Sequence, residues 1–265
     1  MNILKRELRA GLKPFLFWIL GLFVLVFMGV VKSTGVSGGG ESFQKLADSF
    51  PRIVLAVFGI MGIDIGSFGG YYAVLAQYAA IVTAVYAVHL GYNAVSRESV
   101  DKTYEFVFTK PRSRSFILAR KLLAGFLYLT AFCILDYLFS AAATAKLGIE
   151  EDLTTEFWLF TLGSWLVGLL FFSLAVMFAA MARSAEKGSK LGNISILVGF
   201  AAGVAYDMMN NGGIVRLFAP FRYFTSSEVL SGELNLLYAA LCVAVAAVSL
   251  VIAFRRFERR DLSAA

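Results

Sequence analysis

Residues 157–182 read FWLFTLGSWLVGLLFFSLAVMFAAMA, without one Asp, Glu, Lys or Arg. A helix of that length rises about 39 Å at ~1.5 Å per residue, more than the roughly 30 Å of hydrocarbon in a bilayer. The run lacks the alternation of apolar and polar residues that a strand of a membrane barrel needs. It lies in a chain of 265 residues that is 59% hydrophobic and 16% charged, with a mean hydropathy of +0.75. A soluble domain of this size has too little interior to hide so much apolar surface. The stretch is therefore a transmembrane helix, and the fold class depends on how often the pattern recurs.

It recurs at 15–31, 71–95, 116–145 (with the apolar part from Leu122), 191–209 and 236–254. With 157–182 these make six spans, so the sequence predicts an all-α integral membrane protein whose six-helix domain covers 15–265. The fifth span is short and interrupted by Gly192, Asn193, Gly199 and Gly203. Gly199 and Gly203 have the spacing that lets helices approach closely. Ahead of the first span, Leu4, Leu8 and Leu12 repeat every four residues while Lys5, Arg6, Arg9 and Lys13 take other positions. That pattern predicts an amphipathic interfacial helix over 1–14, with Pro14 marking the turn into the bilayer. A basic tail that merely satisfies the positive-inside rule is the alternative. No small-residue cleavage site follows the first apolar stretch, so the first helix is expected to be retained.

Orientation follows from the basic residues. The N-terminus, the second and fourth loops and the C-terminus together hold 18 of the 24 Lys and Arg, and the remaining 6 are scattered over the alternate loops. Cytoplasmic loops carry this excess, which places both termini in the cytoplasm. The net charge of +6 is then a topology signal, and no nucleic-acid partner is expected. Two external segments are long and partly apolar. In 35–70, Gly38, Gly39 and Gly40 precede an apolar stretch broken by Pro51, Arg52, Gly59, Gly62 and Asp64. This predicts a packed extracellular helix and not a seventh crossing. Residues 214–224, with Arg216, Pro220 and Arg222, predict a short re-entrant or interfacial turn of helix before the last span.

The motifs of soluble enzymes are missing. There is no phosphate loop, no paired-cysteine zinc pattern, no HExxH and a single histidine. Cys133 and Cys242 both lie in apolar runs and read as packing residues. Neither cofactor nor metal is expected in this chain, and energy has to come from a partner or an ion gradient. Ionisable groups inside spans cost about 2.5–3.5 kcal/mol on insertion scales and are candidate functional residues. Asp136 is near the middle of span three, His89 is toward the cytoplasmic end of span two, and Asp207 ends span five at the interface. A hydrogen-bonded carboxyl that fixes packing is the alternative for Asp136, and a packed imidazole is the alternative for His89.

The richest loop is 98–114, ESVDKTYEFVFTKPRSR. Aromatic and aliphatic residues between charges suit a short helix docked into a groove of another protein and ended by Pro111. A basic loop lying on lipid headgroups is the other reading. The loop resembles the first cytoplasmic loop of the ABC type-2 exporter permease family. The correspondence runs through Glu98, Thr103, Tyr104, Glu105, Phe106, Val107, Phe108, Thr109, Pro111, Ser113 and Arg114, then Ile117 and Lys121. Lys102 stands where that family has Gly, and Arg112 where it has an aliphatic residue. The resemblance extends to the N-terminal segment, the six spans, the Gly69-Gly70-Tyr71 junction and Ala219-Pro220-Phe221-Arg222-Tyr223 before the last span.

What the resemblance implies is a permease subunit in a plasma membrane, a prokaryotic inner membrane by expectation, that pairs with a second permease chain. Two cytoplasmic ATP-binding cassette subunits would hold ATP and Mg. They would engage Glu98, Asp101, Thr103, Tyr104, Glu105, Phe106, Phe108, Thr109 and Pro111. An amphipathic or hydrophobic substrate is expected, with export or import left open. Two other classes stay open at this point: an intramembrane enzyme using His89 and Asp136, and a non-transporting scaffold.

Overall fold

A computed structural model describes residues 3–37, 45, 49–100, 113–149, 151–209 and 212–259. The described residues form helices and turns with no strand. The α-helices are α1 (Ile3–Ser37), α2 (Arg52–Phe58), α3 (Phe68–Val100), α4 (Arg114–Lys146), α5 (Thr154–Met181), α6 (Ala185–Met208), α7 (Ser226–Leu230) and α8 (Leu236–Glu258). Two 3₁₀ turns, Val215–Phe218 and Pro220–Arg222, lie between α6 and α7. Six of these helices, α1, α3, α4, α5, α6 and α8, are long and apolar enough to cross a bilayer.

The bundle is built around α3 and α5, its most extensively packed pair. Small residues allow their close approach. A Cβ on Gly91 would strike the carbonyl oxygen of Phe172, and one on Gly168 would stand 3.1 Å from the Thr83 methyl. Helices α1 and α4 flank this centre on one side; α6 packs on α5 and α3, and α8 on α5 and α4. Apolar residues still facing outward, among them Phe17 and Leu20 on α1 and Leu197 and Val198 on α6, suit contact with lipid.

The first helix departs from expectation. It is continuous from Ile3 to Ser37 with Pro14 inside it, so residues 3–14 are the first part of the first span's own helix. Proline removes one backbone hydrogen bond and crowds the preceding turn, but packing on both sides of it holds the helix. The Tyr128 hydroxyl donates to the Leu8 carbonyl, and the Phe15 ring lies 4.9 Å from that of Tyr128.

The two broken apolar segments form short helical elements. Helix α2 is only seven residues long, ends at Gly59 with φ 71°, and is not a crossing. Its αL cap is a conformation that glycine adopts without strain. The 214–224 segment forms the 3₁₀ turns. At the start of α3, the Gly70 amide donates to Ser67 Oγ at 3.1 Å, and a Cβ on Gly70 would collide with the Asp64 carbonyl. Span three begins at Ser113, whose hydroxyl accepts from the Phe116 amide at 3.3 Å, an N-cap that explains the serine after Pro111.

Candidate functional site

Among the described residues, three polar assemblies interrupt the apolar bundle. The first lies at the end where α1 begins and α8 closes. Ser115 at the start of α4 donates to Glu258 at the close of α8, and the beginning of α1 meets the end of α3 and the first turns of α4. There Lys121 and Glu98 form an ion pair, with side chains 3% and 8% exposed. The other Glu98 oxygen accepts from Arg6 at 3.2 Å, and Arg6 also pairs with Glu7 at 2.6 Å. Lys121 shares the inward face of α4 with buried Ile117, Leu118 and Gly125, so helical phase alone carries its charge into the core. Breaking such a pair by removing one partner costs about 3–5 kcal/mol, because the other charge stays buried.

Glu98 was expected to face a partner protein. The structure turns it inward instead, as a rivet joining α1, α3 and α4 at the root of the following loop. Asp101, Thr103, Tyr104, Glu105, Phe106, Phe108, Thr109 and Pro111 lie outside the described residues.

The second assembly surrounds Asp136, 5% exposed, on the buried face of α4. Its Oδ1 is buried and has no hydrogen-bond partner among the described residues. Beside it, the Tyr72 hydroxyl donates to Ser140 Oγ at 2.8 Å, and Ser140 donates to the Asp136 carbonyl at 2.9 Å. His89 is elsewhere. It is exposed on α3, lies within hydrogen-bonding distance of Asn93 at 2.9 Å, and stands 6.2 Å from the Trp18 ring. Its neighbour Leu90 packs at Gly125, eleven residues from Asp136 and so about 16 Å away along α4. The face-to-face acid and base that an intramembrane enzyme would need from this pair are not formed.

The third assembly, at the opposite end, was missed by sequence reasoning, which put Asp207 at the interface. Arg222, 8% exposed, holds Asp207 through both carboxylate oxygens, at 2.9 Å from Nε and 2.6 Å from Nη2. It also donates to Gln77 Oε1 at 2.9 Å and reaches the Ala56 carbonyl at 3.5 Å. One guanidinium thus joins the residues next to α7 to α2, α3 and α6. A Cβ on Gly203 would make ordinary contact with Arg222 Cγ at 3.6 Å, and one on Gly199 would stand 3.2 Å from the Phe171 ring of α5 and 3.3 Å from Pro220. Gly199 thus serves close approach both to α5, as the glycine pair predicted, and to the segment between the last two spans.

Beside it, Arg216 pairs with Glu228 at 2.5 Å and lies over the Tyr238 ring at 4.5 Å. Burial works against the Glu228 carboxylate. Hydrogen bonds from Arg216 and Thr225 outweigh it and hold this carboxyl below its ordinary range. A cavity of about 290 Å³ opens under these pairs, between α3 and α5. The signal available in the sequence was a basic and an acidic residue, Arg222 and Asp207, each beside an apolar run and each needing a counter-charge.

Among the described residues no group of His, Cys, Asp or Glu is placed to hold a metal ion. Cys133 and Cys242 are free and buried. Comparison with curated proteins gave no match. Comparison with protein families gave the ABC-2 family transporter proteins, matched over residues 1–262. With nearly its whole length matched and six membrane-crossing helices, the chain belongs to the ABC-2 family of transporter proteins, as the membrane-spanning permease component of an ABC transporter.

Proposed function

We propose that the chain is the permease of an ATP-driven exporter of amphipathic or hydrophobic molecules, coupled through residues 98–114 to separate cytoplasmic ATPase subunits. ATP and Mg are held by those subunits, and this chain supplies no cofactor site. The observation that carries the proposal is the buried Arg6–Glu98–Lys121 assembly. Helices α3 and α4 have 33 residues each and so run about 50 Å, against roughly 30 Å of hydrocarbon. They project as stems on which the loop is mounted. Ion pairing ties the stems to each other and to α1, so a push on the loop moves three spans together.

Both termini face the cytoplasm of a prokaryotic cell in this reading, as the basic residues require, and two permease chains enclose the route. A scaffold without transport has no use for a charged clamp buried at the root of a loop, so transport is the better reading. The test is to replace Glu105, Phe106 and Phe108 singly by Ala and measure copurification of the ATPase and substrate-stimulated hydrolysis. Truncating a buried aromatic anchor costs about 2 kcal/mol or more, so at least one variant should lose affinity about 30-fold. Full association and stimulation in all three would favour a headgroup-facing loop.

A further inference from the structure

The cavity beneath the Arg222–Asp207 pair is a cleft with a definite chemistry. On α3 its wall is Ala73, Ala76 and Ala80, and on α5 it includes Ser164. The small side chains open space between two helices that otherwise pack tightly. At about 290 Å³ the space is at the lower edge of the range for small-ligand pockets.

The charges around it are already matched: Arg222 holds Asp207 at 2.6 Å and Arg216 holds Glu228 at 2.5 Å. What remains without a partner among the described residues is neutral. Gln77 Nε2 is buried and unpaired, and its orientation is fixed because Arg222 takes the oxygen end of the amide. The hydroxyls of Ser164 and Tyr206, residues 6% and 5% exposed, also border the cavity. Each can donate a hydrogen bond. An ionic ligand would bring a charge with no unmatched counter-charge to meet it among the described residues of the lining, a costly arrangement in a buried site.

We propose that this cleft binds the uncharged, oxygen-rich polar part of a small molecule, accepting hydrogen bonds from Gln77, Ser164 and Tyr206 while its apolar part lies along the alanine wall of α3. The source is either the head of an amphipathic molecule or a free neutral polyol. The inference does not depend on the coupling proposal, and its test needs no ATPase and no knowledge of which side is outside.

In nanodiscs, where both faces are open, Met61→Cys, in the cavity lining but outside the proposed hydrogen bonds, is labelled with an uncharged maleimide, with Ala80→Cys as a second reporter and the unsubstituted protein as background. Octyl glucoside below its micellar concentration, at about ten times its dissociation constant, should slow labelling about tenfold by occupancy. Octyl sulfate and octylamine at equal concentration should bind at least about tenfold more weakly, since each places an unmatched charge in the cleft. Ala80→Leu, which fills the wall, should abolish protection of Met61→Cys at unchanged thermal stability. Glucose alone distinguishes the sources: protection equal to that by octyl glucoside identifies a free polyol, and weaker protection identifies an amphipathic ligand. The proposal is overturned if octyl glucoside and glucose both fail to protect either cysteine. Equal protection by the charged amphiphiles, or protection that survives Ala80→Leu, overturns it as well.

Discussion

Lys121 on the fourth helix and Glu98 at the end of the third form an ion pair almost wholly withdrawn from solvent, with Arg6 of the first helix on the second carboxylate oxygen. Removing one charge strands the other. Lys121→Met or Glu98→Gln alone should therefore destabilise the bundle by about 3–5 kcal/mol in denaturant unfolding, while the double variant should recover most of that loss. Additive losses in the double variant would mean that the two groups do not depend on each other.

Asp136 puts a carboxyl oxygen that has no partner among the described residues on the buried face of α4. Asp136→Asn keeps the shape and removes the acid, so abundance should stay near normal while transport falls by about tenfold or more, as for an intramembrane acid with a functional role. Normal transport at normal abundance would leave Asp136 with a packing role only.

Much of this was legible in sequence, for identifiable reasons. The six spans were visible because lipid demands continuous apolar runs, and α2 was excluded as a span by Pro51, Gly59 and Gly62. The continuity of α1 through Pro14 was not visible, because the contacts beside the proline come from Tyr128, more than a hundred residues away, whose hydroxyl donates to the Leu8 carbonyl. The pairing of Arg222 with Asp207 was hidden for the same reason: each looks like an ordinary end-of-span charge until the chain folds back. The inward turn of Glu98 could have been anticipated from Lys121, a charge on the buried face of its helix.

The cap near α7 should be acid-sensitive. Glu228 has its carboxyl held below its ordinary value of 4.5, so its ionised form contributes stability above that value, and the contribution is lost as pH falls through the lower folded-state value. Hydrogen exchange of the amides in 225–231 should accelerate below about pH 4.5. Glu228→Gln, which keeps a capping oxygen, should show little change over the same window; an equal acid response in the variant would place the titrating group elsewhere.

The asymmetry of basic residues sets a topology that tags can read. An accessible tag beside Gly39 should react from outside intact cells, and one beside Lys187 only after permeabilisation. Finding both on one side would contradict the six-span count.

Coupling is the central claim, and the ratio of substrate moved to ATP hydrolysed tests it most directly. In proteoliposomes containing the permease and its ATPase, the double variant Glu98→Gln with Lys121→Met removes the clamp without leaving an unpaired ionic partner in that pair. The account predicts that hydrolysis persists while transport per ATP falls at least about tenfold, within the usual range of coupling free energies. An unchanged ratio in a fully folded variant would contradict transmission from the loop to the bundle through this ion pair.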